Sequence, residues 1–199
     1  MIKNILFIVI SYFVSSILGG YLLAKILKKD GFGKNDLPGA IGTARQLGFL
    51  AGILVGAFDT LKSFLIILIG ILLGFETNIL VLGGMAVIAG HNWPIFFKFR
   101  GGGGISPSVG IIILLLPKEA IIMLIIGLIS AFLYKVIFKK MLNLKISMIQ
   151  FSASITFLTL PFSSLYFKEL QELIFLSIGI VLLGMLKSVQ WKIKPIKNL

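Results

Sequence analysis

The 199-residue chain has no cysteine, which excludes disulfide bonds, a thiolate nucleophile and any cysteine-ligated metal. It has a single histidine and seven acidic residues, too few convergent donors for a buried metal cluster, so neither a metal nor another cofactor is expected. Acids are also outnumbered: nineteen Lys and Arg give a net charge of +12, which on its own invites a nucleic-acid partner. Long polar stretches are scarce as well. Hydrophobic residues make up 58% of the chain and the mean hydropathy is +1.08, far above a soluble domain. Apolar runs of about 20 residues recur from end to end, the pattern of an all-α polytopic membrane protein.

Seven such segments fall near residues 5–26, 46–74, 79–92, 107–116, 120–138, 146–166 and 173–186. They predict seven transmembrane helices in a single domain over residues 1–199, the first being retained because its apolar run is too long for a signal-peptide core. The second segment is long for one crossing and holds Asp59 and Lys62 in its middle. Ionisable groups at that depth are paired or functional. Three apart, the two share a helix face, and either one broken helix or two half-helices fits. Residues 31–48 form a glycine-rich linker too broken to span.

Fifteen of the cationic residues fall on one side, thirteen in loops near residues 28–48, 93–106 and 139–145 and in the tail 187–199 and two, Lys25 and Lys135, just before those loops, whereas Lys3, Lys118 and Lys168 fall on the other side. The positive-inside rule makes the basic side cytoplasmic, with the N-terminus outside and the C-terminus inside. The charge is thus a topology signal and an attraction to anionic membrane lipid, and no nucleic-acid partner is expected. The absence of an internal repeat argues against an inverted-repeat transporter.

The polar exception is residues 90–110, GHNWPIFFKFRGGGGISPSVG. Gly101, Gly102, Gly103 and Gly104 form a bare-backbone loop, and their unscreened N–H groups suit an anion-binding nest. Ser106 and Pro107 are read as an N-cap and first turn, whose positive helix end adds to the nest. Lys98 and Arg100 add full charges. The combination suits a phosphate-bearing ligand, and a plain basic loop is the competing reading.

This stretch resembles the second cytoplasmic motif, roughly GHxxPVFxxFKGGKGVATxxG, of the acyl-phosphate-dependent glycerol-3-phosphate acyltransferases (the PlsY family). Gly90, His91, Pro94, Phe96, Phe99, Gly101, Gly102, Gly104 and Gly110 fall on the pattern, and Arg100 stands at a family lysine. A family Asp-x-x-Lys element is matched by Asp59 and Lys62. The first motif is matched in part by Gly39, Ala40, Arg45, Leu47 and Gly48, and Ser147 falls near a family serine that begins the sixth helix. The second motif's other lysine falls at Gly103, and the family's C-terminal His-Arg-Glu-Asn run has no counterpart in KSVQWKIKPIKNL.

The resemblance implies a seven-helix enzyme of the bacterial inner membrane. It would move a fatty acyl group from acyl phosphate to glycerol 3-phosphate, giving lysophosphatidic acid for phospholipid synthesis. A non-catalytic relative that binds or transports a phosphate-bearing lipid or solute is the alternative. An acyl phosphate is already activated, so the reaction needs mainly two anions held together away from water. On this reading Arg45 and His91 are the catalytic candidates. Arg45 holds a phosphate, or anchors the loop; His91 is the one near-neutral base, or caps the third segment. Lys98, Arg100, the four glycines, Ser106, Ser147, Asp59 and Lys62 are the substrate-binding candidates, with a structural ion pair the other reading of Asp59 and Lys62. Trp93, Phe96, Phe97 and Phe99 read as an interfacial belt.

Overall fold

The computed structural model describes residues 1–34, 36–138 and 148–193. Among these residues the regular structure is entirely helical. The elements are α1 (Ile2–Ser15), α2 (Gly19–Ile26), α3 (Ala40–Leu47), α4 (Phe49–Leu72), α5 (Thr77–Asn92), α6 (Ile105–Leu115), α7 (Pro117–Leu133), α8 (Met148–Tyr166) and α9 (Gln171–Ile193). A short 3₁₀ turn covers Ile95–Phe97, and a π-helical turn, Tyr134–Phe138, continues α7.

Five stretches are long and apolar enough to cross a membrane: Ile2–Ile26, Phe49–Leu72, Thr77–Phe97, Pro117–Val136 and Gln171–Gln190. All seven expected segments are mainly helical within the described residues, the first and second with a break. Helix α6 is the short one, at 11 residues. At 1.5 Å per residue it reaches about 16 Å, roughly half of a bilayer core. The long second segment is one unbroken helix, α4, and its first residues, Gln46 and Leu47, belong to α3. The glycine-rich linker is not all loop: α3 occupies its second half.

The distribution of side chains is that of a bundle in lipid. Large apolar groups such as Leu50, Leu72, Ile121, Leu128, Phe132 and Phe162 are exposed, while Ser11, Ser15, Ser63, Ser108, Ser164 and Ser177 are buried. With lipid as apolar as leucine, helices associate through close packing of small residues and interhelical hydrogen bonds. The Phe7 ring of α1 illustrates this. A Cβ added at Gly83 of α5 would stand 2.3 Å from that ring, and one at Gly70 of α4 2.6 Å from it. An apolar core including Ile67, Val87, Ile111, Leu160 and Leu176 joins α4, α5, α6, α8 and α9.

The first span is broken at residues 16–18, between α1 and α2. In a continuous helix the Gly19 N–H would donate to the Ser15 carbonyl. Here both groups turn to α4. The Gly19 N–H points at Asp59 Oδ1 (3.4 Å), and Lys62 Nζ donates to the carbonyls of Ser15 (3.1 Å) and Ile17 (2.7 Å). Asp59 and Lys62 also pair with each other at 3.1 Å, both buried. The intramembrane ion pair expected from their spacing therefore exists. Together the two side chains splint the break by replacing the missing backbone hydrogen bond.

Candidate active site

The linker and the 90–110 stretch meet on a seam of small residues. Ala40 and Ala44 of α3 are four apart, as are Gly52 and Gly56 of α4, so each pair lies on one helix face. A Cβ at Gly52 would stand 2.5 Å from Ala44 Cβ, and one at Gly56 3.2 Å from Ala40 Cβ and 3.8 Å from Ser106 Oγ. One bare position on α4 thus seats the first turns of both α3 and α6. One turn further along, the Thr60 hydroxyl donates to the Ser106 carbonyl at 3.0 Å. First-turn N–H groups lack intrahelical acceptors and carry the positive end of the helix dipole. Two such ends are brought together here.

Gly101–Gly104 runs between them, and close approach explains its composition. The Gly102 N–H donates to the His91 carbonyl at 3.0 Å. An added Cβ would lie 2.0 Å from the His91 carbonyl oxygen at Gly101, 2.1 Å from His91 Nε2 at Gly102 and 2.9 Å from Asn92 Oδ1 at Gly104. Gly104 also has φ 81°, a conformation that favours glycine. Gly39, the residue before α3, closes the other side: a Cβ there would stand 3.4 Å from Gly102 Cα and 3.8 Å from His91 Nε2. Gly103 has nothing within 4 Å of an added Cβ, so the position of the family's motif lysine faces open space.

His91 links this cradle to the splint. Its side chain is 2% exposed, and Nδ1 lies 3.8 Å from Asp59 Oδ2, neither atom having a hydrogen-bond partner among the described residues. Its Nε2 faces Gly102 and Gly39. In that orientation the ring can donate to, or take a proton from, a group in the cradle. The capping reading of His91 does not hold among the described residues: no ring nitrogen bonds a carbonyl at the end of α5, and the backbone of Gly102 takes the His91 carbonyl instead.

The remaining candidates are placed as follows. Ser106 is not the N-cap of α6. The helix starts at Ile105 with Gly104 as the capping residue, so Ser106 and Pro107 lie inside the first turn. The left-handed backbone at Gly104 starts the helix two residues earlier than the Ser-Pro signal suggests. Arg45, in the last turn of α3, forks onto Asp36 through Nε (2.5 Å) and Nη2 (2.7 Å). That hydrogen-bonded carboxylate raises its pKa above the usual value. Sequence reasoning missed Asp36 as its partner, although an acid nine residues before a cation is no local signal. Arg100 is half-buried, and Lys98 is exposed in a left-handed turn. Neither forms an ion pair among the described residues. Tyr21 stacks on Phe97 at 4.3 Å and meets Phe32 edge-on, so Phe97 joins the loop to the linker. Phe96 and Phe99 are exposed. Ser147 lies outside the described residues. Gly56 was also missed, and it had a signal: with Gly52 it forms a small-xxx-small pattern inside an apolar run.

These features define a class, a multi-pass helical membrane protein with a glycine-lined, anion-suited cradle at one end of its bundle. The family follows from comparison with known proteins. Residues 5–195 match the family described as glycerol-3-phosphate acyltransferase, and the chain belongs to that family. A glycerol-3-phosphate acyltransferase of Thermoanaerobacter pseudethanolicus is 39% identical over 122 residues, covering 60% of this chain and 61% of that one. One from Aquifex aeolicus is 32% identical over 136 residues, covering 67% and 70%. The chain spans about three fifths of the length of the Thermoanaerobacter and Moorella thermoacetica relatives it matches. The crystal structure of PlsY (YgiH), an integral membrane glycerol 3-phosphate acyltransferase in its glycerol 3-phosphate form, has the same fold. It superposes with a TM-score of 0.78 at 22% identity, over 96% of this chain and 92% of that one.

Proposed function

We propose that this chain transfers a fatty acyl group from acyl phosphate to a hydroxyl of glycerol 3-phosphate, releasing phosphate and lysophosphatidic acid. The observation that carries the reading is the seat at Gly56, where the first turns of α3 and α6 converge, together with the glycine loop and His91 Nε2 beside them. Two helix ends and open amides suit phosphate groups. Holding donor and acceptor side by side supplies most of what an activated acyl group needs. The attacking hydroxyl forms the new ester bond as the acyl–phosphate bond breaks. Its proton passes to His91 Nε2 or to the departing phosphate, so no covalent acyl-enzyme is required. The relatives named glycerol-3-phosphate acyltransferase, and the fold match to structures in glycerol 3-phosphate and lysophosphatidic acid forms, support the same substrates. The reading includes seven crossings, with the N-terminus outside and the cradle and C-terminus cytoplasmic, on the charge bias.

The test uses the purified full chain in bilayer nanodiscs with acyl phosphate and glycerol 3-phosphate. Phosphate and lysophosphatidic acid should appear in equal amounts. Arg45→Ala should abolish transfer while Asp36→Ala preserves it, because a phosphate would compete for the guanidinium fork that Asp36 holds. Phosphate release no faster than spontaneous hydrolysis would overturn the proposal.

A further inference from the structure

Lys187 is a buried cation that forms no ion pair among the described residues. The sequence places it at the start of the basic tail, residues 187–199. In the structure it lies within α9, 5% exposed, with Nζ over the Trp93 ring at 5.6 Å from the centroid. All seven acidic side chains of the chain are among the described residues, and none pairs with it. Lys62, the other deeply buried lysine among the described residues, has a carboxylate and two carbonyls. Burying an uncompensated charge is costly. A ring face offsets only part of that cost.

Its position adds a direction. Asn92 Nδ2 donates to the Leu183 carbonyl at 3.3 Å, and Leu183 and Lys187 are four apart on one face of α9. Asn92 in turn packs against Gly104 of the cradle, with its Oδ1 buried and without a partner. Trp93 Nε1 donates to Gln190 Oε1 at 2.7 Å, which fixes the last turns of α9 against the end of α5.

We infer that Lys187 is a phosphate-binding residue at the rim of the Gly101–Gly104 cradle, its charge neutralised by the phosphate ester of a ligand. The inference rests on the acyltransferase reading for the location of the site, but its chemistry is that of any phosphate ester, whether a soluble monoester or a lipid headgroup.

The test follows Trp93, which reports directly because Lys187 sits over its ring. Trp191→Phe removes the other tryptophan. In phosphatidylcholine nanodiscs, inorganic phosphate and glycerol 3-phosphate should change Trp93 emission and raise the melting temperature, and Lys187→Met should lose both responses. Lys187→Arg should retain them in part. Because removing an unpaired buried charge relieves its cost, Lys187→Met should fold and melt no lower than wild type without ligand. In a second arm, emission that follows the phosphatidylglycerol content of the disc, and ignores soluble phosphate, assigns the site to a lipid headgroup.

Emission and melting unchanged by Lys187→Met in both arms would overturn the inference. So would unchanged saturation by glycerol 3-phosphate in a transfer-active protein. Lys187-dependent phosphate binding by a wild type that transfers no acyl group supports Lys187 and removes the acyltransferase reading alone.

Discussion

The four glycines of the loop look equivalent in sequence and are not. A methyl group at Gly102 would meet His91 Nε2 and one at Gly101 the His91 carbonyl, whereas one at Gly103 meets nothing. Gly102→Ala should therefore destabilise the protein by about 1–3 kcal/mol, as overpacking of a filled site does, and displace the imidazole from the cradle. Gly103→Ala should leave the melting temperature unchanged. Thermal unfolding in nanodiscs separates the two, and equal melting temperatures would contradict the packing described. The sequence made the loop legible as a nest because glycine runs expose backbone. It did not say which glycine touches what, since those contacts come from α3 and α5, distant in the chain. Arg45 shows the same limit: its type marks it as an anion binder, but its partner Asp36 is found by folding.

At the scale of elements, the site depends on how closely α3 and α6 approach over α4. Gly56→Val should wedge the two first turns apart through Ala40 while leaving α4 helical. A displacement of about an ångström can cost about 10²-fold in rate, so the variant should lose most of its transfer activity. Measured kinetics at saturating acyl phosphate, alongside helical content by circular dichroism, provide the check; near-wild-type turnover would show that the seat is not needed. The ion pair of α4 belongs to this scale too. Removing one partner of a buried pair costs about 3–5 kcal/mol, and Asp59 also holds the Gly19 amide and faces His91. Asp59→Ala should lower stability by that amount in reversible unfolding. The helices themselves were legible in the sequence because hydrophobic runs and Pro-Gly punctuation are local signals. The start of α6 was displaced by two residues because a left-handed glycine overrode the Ser-Pro cap. Helix α3 was hidden because its low apolar content and flanking glycines read as loop.

For the molecule as a whole, the charge bias gives a testable orientation. The chain has no cysteine of its own, so single cysteines report without background. Cysteine at Lys29 should react with an impermeant reagent from the cytoplasmic side only, and at Asn78, in the first turn of α5, from the outside only. The reverse pattern would invert the bundle. The break in the first span also sets an order of events during synthesis. Gly19 and Asp59 are 40 residues apart, and Ser15 and Lys62 are 47 apart. When the first segment enters the bilayer, the side chains that satisfy its open amide and carbonyls have not yet been made. Until α4 arrives, that segment carries unmet backbone groups in a medium that offers them no partner. A nascent chain stalled before Asp59 should therefore hold its first crossing loosely, and elongation through Lys62 should lock it, so that the second hydrophobic segment acts as the latch for the first.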